Sequence, residues 1–316
     1  MFNLSETFNA TLSPMLVLFL CMIIGYVLNK TKLTPENTAV VLSKLENYVL
    51  VPALIINTFM KYCTAESVGR EYKLILYCTA VLLIAVAIAI PLSKVFARDE
   101  YKREVYKYAL TFGNFSFMGN AIVPAIMGEE ALYLYMLYIL PLNVAVYTWG
   151  MIILIPRGEN SGSVFRQLLN PIFLSIILGA AIGLAGISNY IPAFVTTTVG
   201  NLSACMGPLA MVLTGFVIGG YNVAELLKDG KIYIAALLRL IVLPLLFVFL
   251  LKVIGADKTV LLLTFFAFGT PLGLNTVVFP AAYGGDTSTG AAMAMISHTL
   301  CVITIPLMYA VITHFG

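Results

Sequence analysis

The sequence predicts an all-α polytopic membrane protein of ten helices, arranged as two five-helix halves of opposite orientation. Three observations carry that prediction. Of 316 residues, 60% are apolar and 10% charged, where a soluble domain carries roughly 25% charged residues. Apolar runs punctuated by Gly, Pro and charge recur along the whole chain. Sliding the sequence by 156 residues lays one interrupted apolar run on another.

A spanning helix needs about 20 mostly apolar residues. Ten such runs lie near 12–28, 38–60, 72–96, 105–127, 131–155, 170–188, 192–219, 230–253, 258–282 and 288–313, leaving little chain for a soluble domain. The stretch before the first run, MFNLSETFNATLSP, has no Lys or Arg. It lacks the positive start of a cleaved signal peptide, so the first span is expected to be retained. The polar stretch PRGENSGSVFRQLLN (156–170) sits near the midpoint. It divides the chain into a first half, 1–155, a linker, 156–169, and a second half, 170–316.

Positive charges set the orientation, because cytoplasmic loops keep an excess of Lys and Arg. With the N-terminus outside, the inner loops hold eleven: Lys30, Lys32, Lys94, Arg98, Lys102, Arg103, Lys107, Arg157, Arg166, Lys228 and Lys231. The outer loops hold five: Lys61, Arg70, Lys73, Lys252 and Lys258. An integral protein of the cytoplasmic membrane with both termini outside and the linker inside is the expectation. A net charge of +3 without a basic run argues against nucleic acid as a partner. The five cysteines are scattered and His298 and His314 are the only two histidines, so neither a disulfide framework nor a metal site is expected.

The internal repeat pairs TFGNFSFMGNAIVPAIMG (111–128) with AFGTPLGLNTVVFPAAYG (267–284). Phe112/Phe268, Gly113/Gly269, Pro124/Pro280, Ala125/Ala281 and Gly128/Gly284 are identical, and the same offset puts Pro52 on Pro208 and Thr58 on Thr214. Copying an odd number of helices inverts the second copy, the architecture of many secondary transporters.

The repeated segments are the fourth and ninth spans, and both are poor membrane helices. Span four holds Gly113-Asn114, Gly119-Asn120 and Pro124; span nine holds Gly269-Thr270-Pro271, Gly273, Asn275-Thr276 and Pro280. Proline removes a backbone donor, and glycine tolerates the non-helical dihedrals that follow, so Pro124, Gly269, Gly273 and Pro280 mark predicted helix breaks. Lipid cannot satisfy the freed N–H and C=O groups, so a broken helix must face protein or a water-filled cavity. Half-helix N-termini would turn positive dipole ends into that cavity, which suits an anion. Asn114, Asn120 and Asn275 add neutral donors, with Gly113, Gly119, Thr270 and Pro271 beside them. The competing reading is that Gly and Pro are common in membrane helices and that Asn joins neighbours.

Several motifs taken in order resemble the auxin efflux carrier family, which includes plant auxin carriers and bacterial permeases for malate and related acids. They are ENYVLVPALI (46–55), GNFSFMGNAIVPAIMGEEAL (113–132), ILPLNVAVYTWG (139–150), RLIVLP (239–244), TPLGLNTVVFPAAYGGD (270–286) and SHTLCVITIP (297–306). The resemblance implies that helices four and nine cross at their breaks beside the substrate. It also implies a scaffold of helices one, two, six and seven, a transport unit of helices three to five and eight to ten, and a homodimer. By motif position Asn114 matches the family's crossover asparagine and Pro271 its crossover proline. Gly113 and Ala121 depart from residues usual in relatives, which leaves the break point of span four open within about a turn. Asn120 is polar where an apolar residue is common.

Few charges fall within spans. Lys44 and Glu46 read as an interfacial pair reaching the inner surface, with coupling as the sharper alternative for Glu46. Arg239 either snorkels or balances an anion in the cavity. His298 either makes a structural hydrogen bond or relays protons. Glu129, Glu130 and Asp286 read as loop charges, while Asn143, Thr148 and Trp149 of span five either pack or line the cavity.

The function these readings support is a secondary active transporter of small organic anions, with malate-like or auxin-like acids implied by the resemblance. No cofactor is expected, and the coupling ion, H+ or Na+, is left open. Alternatives are a crossed-helix sodium- or proton-coupled ion antiporter or symporter, and a passive anion channel. The first usually needs an aspartate at the crossing, which neither break contains. An enzyme is not expected: His-Glu-x-x-His, paired-aspartate and Gly-x-Ser-x-Gly motifs are missing from the sequence.

Overall fold

The structure, a computed structural model, describes residues 4–154, 170–282 and 285–315. Among them every regular element is helical, and the one extended pairing is a single antiparallel bridge between Gly113 and Leu272. The linker predicted over 156–169 lies outside the described residues.

Helices α1 (Leu4–Lys30), α2 (Thr38–Tyr62) and α3 (Ala65–Phe96) are each long and apolar enough to cross a membrane. Helix α4 (Glu100–Thr111) is amphipathic, and α5 (Phe115–Met127) resumes after a short gap. Helices α6 (Glu129–Tyr138) and α7 (Leu140–Leu154) form one apolar run bent by 47°. Then come α8 (Pro171–Leu184), α9 (Ala193–Gly219), α10 (Gly230–Val253), α11 (Lys258–Phe268), α12 (Asn275–Ala282) and α13 (Ser288–Phe315). Among the described residues, six helices are long and apolar enough to span a membrane alone, seven when the bent pair counts as one. The molecule is a polytopic helical membrane protein.

Local chemistry fixes where helices start. Asp99 accepts from the Lys102 N–H at the head of α4, and Asn170, Asp229 and Asp257 do the same for α8, α10 and α11. Thr64 and Ser67 exchange bonds at the head of α3. Each such cap contributes about 1 kcal/mol.

Wide π turns interrupt α2 at Glu46–Leu50, α7 at Val146–Gly150 and α10 at Leu238–Val242, and another opens α5 at Phe115–Gly119. Pro52 and Pro244 explain two of them. A proline ring clashes with the carbonyl four residues back, here Tyr48 and Leu240, and the wide turn gives it room.

The predicted breaks at Pro124 and Pro280 are corrected by the structure. Both prolines lie inside helix, within α5 and α12. The missing donors would bond to Asn120 and Thr276, so each removes only an early link of a short ladder. The chain leaves helical form earlier, at Phe112–Asn114 and Gly269–Leu274, where two backbones meet.

The most extensive helix interfaces join α1 to α9 and α8 to the second half of α2. At the first, a methyl group on Gly25 would run into the Val212 carbonyl, and one on Gly215 into the Met22 carbonyl. Small residues let helix backbones approach closely where lipid gives no hydrophobic drive. Leu20, Leu83, Phe194, Phe249 and Ile303 remain exposed on the outside, as expected of surface that meets lipid.

Candidate functional site

The two interrupted stretches cross in antiparallel pairing. The Asn114 N–H donates to the Pro271 carbonyl over 2.6 Å, Gly113 bridges Leu272, and the Leu272 N–H donates to the Ser297 hydroxyl over 3.0 Å. Gly113 is required by this approach. A methyl group there would sit 2.6 Å from the Thr270 hydroxyl and 2.8 Å from Arg239 Nη2, inside van der Waals contact. From α6, the Tyr135 hydroxyl donates to the Phe115 carbonyl at 2.9 Å, with the Phe266 carbonyl 3.4 Å away. One side chain therefore ties both broken segments.

Beside the crossing lies a cavity of about 240 Å³, roughly eight waters' share of liquid volume. Helices α5 and α12 both begin at it: Phe115, Ser116 and Phe117 line it from one, and Gly273, Leu274 and Asn275 from the other. The leading N–H groups of a helix have no partner within it, and no side chain caps α5, because Asn114 turns to His298 instead. Ser43, Asn47, Tyr48, Asn143, Tyr147 and Asn170 complete the polar lining, and among the described residues no charged side chain takes part. Three of the four π turns thus contribute residues to this wall, a recurrent association of such turns with functional sites. Through Ser43, Leu213 and Val278 the cavity adjoins a wider space of about 650 Å³ that carries Glu36, Lys44 and Tyr221 near the Lys30 end of α1.

A family model described as "Membrane transport protein" matches residues 10–164 and 160–309. The chain belongs to that family, the auxin efflux carriers. A relative named as an uncharacterized transporter, from Methanocaldococcus jannaschii, is 25% identical over 301 residues, covering 92% of this chain and 96% of the relative. Membrane transport is therefore the general role, and an integral membrane protein the form.

Within this auxin efflux carrier chain, the predicted site residues separate into groups. Gly113, Asn114, Gly273 and Asn275 line the cavity, and the Asn275 amide donates to the Tyr108 hydroxyl over 2.9 Å. Pro271, Thr270 and Gly269 lie in the crossing itself; Thr270 is fully buried with its hydroxyl unpaired. Asn120 and Gly119 stand apart. Asn120 borders a small void of about 10 Å³ with Ile55, Phe59 and Met136, which adjoins the cavity through Ser116, Asn143 and Ile172, and its amide oxygen is unpaired. Gly119 makes room for the Tyr135 hydroxyl.

Two readings of charged residues are corrected. Glu46 is fully buried with both oxygens unpaired, and makes no ion pair with Lys44. Residues two apart on a helix face different sides. Arg239 does not snorkel: it is fully buried behind the crossing. Its Nη1 lies 3.4 Å from the Leu110 carbonyl and its guanidinium carbon 5.6 Å from the Phe268 ring centre, while Nε and Nη2 have no partner. His298 is buried and bonded on both ring nitrogens. Tyr108, Ser297 and Asn47 were not singled out from sequence. The adjacent polar pair Ser297-His298 in an apolar span was the available signal.

Proposed function

We propose that this chain is a secondary active transporter of small organic anions, carboxylates of the malate-like or auxin-like kind, working by alternating access. The observation that carries the reading is the meeting of two helix N-termini, those of α5 and α12, at one cavity without a charged wall. Each terminus supplies about half a positive charge; the first N–H groups of α5 have no partner within the helix, while in α12 those of Thr276 and Val277 bond the Gly273 and Leu274 carbonyls. A carboxylate is held there without a fixed counter-ion that would resist its release. Arg239, with Nε and Nη2 unpaired behind Gly113, adds positive potential from the rear.

The reading takes the chain as ten crossings in two inverted halves, 1–155 and 170–316. Helices α1, α2, α8 and α9, which share the most extensive interfaces, form the scaffold, and the others move against it. The lysine and arginine asymmetry puts the Lys30 end of α1 in the cytoplasm and both termini outside. The 650 Å³ space is then a cytoplasmic vestibule, and the conformation faces inward.

The test is a thermal-shift and vesicle-uptake screen of monocarboxylates, dicarboxylates and indole acids on purified protein, followed by Asn114→Ala. A bound acid whose affinity falls tenfold or more in the variant supports the site. An acid bound equally by both refutes it.

A further inference from the structure

The cavity does not explain why a histidine should stand directly behind its asparagine. His298 Nδ1 lies 2.7 Å from the Ala294 carbonyl, and His298 Nε2 lies 3.0 Å from Asn114 Nδ2. A carbonyl only accepts, so Nδ1 carries the ring proton. In the neutral ring Nε2 is then a bare lone pair, and the Asn114 amide must present its NH2 group to it. The amide oxygen is the end left for the cavity. An acceptor facing the cavity is unfavourable for an anion.

Adding a proton at Nε2 reverses both faces. The imidazolium donates at Nδ1 and Nε2, so the Asn114 amide rotates to offer its oxygen to the ring and turns its NH2 group to the cavity. We propose that His298 and Asn114 form a proton-linked anion switch, so that one proton is taken up with each anion and the two are carried in the same direction. This rests on the anion-transport reading above and adds the identity of the coupling ion. The proton comes from water on the side where the anion enters, forms the Nε2–H bond, and returns to water on the side where the anion leaves.

The surroundings of the ring require that the two arrive together. Met15, Leu18, Phe19 and Met22 of α1, Met118 of α5, Met211 of α9 and Val302 of α13 share its small void. Among the described residues, the buried ionisable groups on the His298 helix and the elements packed against it include Tyr106 and Tyr108 of α4, Cys301 of α13 and Arg239 of α10, with no carboxylate. Cys301 donates its thiol proton to the His298 carbonyl over 3.0 Å, and the Arg239 guanidinium of α10 is turned to Leu110 and Phe268. None of these groups is bonded to the ring. A buried imidazolium without a counter-ion is strongly disfavoured, and the bound anion supplies the missing charge. By reciprocity the anion raises the ring's proton affinity as much as the proton raises the anion's.

Two measurements test this. Between pH 6.5 and 8.5, where malate and indole-3-acetate are ionised, the dissociation constant of whichever acid binds should weaken by about tenfold per pH unit. In His298→Gln the slope should flatten while binding persists, and proton uptake into pyranine-loaded vesicles should cease. A pH-independent affinity, or proton uptake that survives in His298→Gln, overturns the coupling and leaves the anion site standing. If neither acid binds, both proposals fall. The second measurement needs no acid: with His314→Gln, one histidine remains. Nitrogen NMR of that protein at neutral pH should show the Nδ1–H tautomer alone, and an Nε2–H tautomer would overturn the switch.

Discussion

The main-chain N–H of Asn114 donates to the carbonyl of Pro271 across 2.6 Å, joining positions 157 residues apart in sequence. Lipid cannot satisfy a peptide donor or acceptor freed by a helix break, and this bond and the Gly113–Leu272 bridge beside it hold the two half-helices in one register. The closeness of the backbones is set by Gly113.

Gly113→Ala should therefore destabilise the protein by about 1–3 kcal/mol, the usual range for forcing extra volume into a packed site, and abolish acid binding. Gly200 of α9 is the control, because a methyl group there meets nothing within 4 Å. Gly200→Ala should be neutral or stabilise by about 0.5–1 kcal/mol. Thermal unfolding in detergent compares the pair, and equal melting points would show that the crossing tolerates a side chain.

Arg239→Met makes a prediction of opposite signs. Removing a buried cation with unpaired nitrogens relieves a desolvation penalty, so the melting temperature should hold or rise. Affinity for a bound acid should drop tenfold or more as the rear potential disappears. A large fall in melting temperature with unchanged affinity would instead make the guanidinium a brace between α4 and α10.

Asn275 and Tyr108 share a 2.9 Å bond at the cavity wall. A double-mutant cycle with Asn275→Leu and Tyr108→Phe should return a coupling energy of about 0.5–1.5 kcal/mol in unfolding. Additive effects would show that the amide is held by the half-helix alone.

Gly215→Val should disrupt the interface between α1 and α9, because its side chain would enter the Met22 carbonyl. The expected readout is a loss of folded yield larger than for any cavity variant. Normal yield with normal melting would show that α1 and α9 are free to separate.

Much of the site was legible because glycine, proline and asparagine are conspicuous in apolar helices. Gly113, Asn114, Gly273 and Asn275, singled out from the repeat, line the cavity. Pro124 and Pro280 misled for a physical reason: a proline early in a short half-helix removes one weakly placed link and leaves the helix intact. Asn120 belongs to the same helix as the cavity residues but faces a different void.

By itself the sequence determined a membrane-embedded helical chain with two interrupted segments, since apolar length and breaker residues act locally and leave their mark in composition. Only the tertiary structure decided that Asn114 meets His298, that Arg239 is sealed behind Gly113, and that α5 and α12 open on one cavity. Those relations join residues more than a hundred positions apart. They depend on helix rotation, which each π turn resets by a fraction of a turn that periodicity does not record.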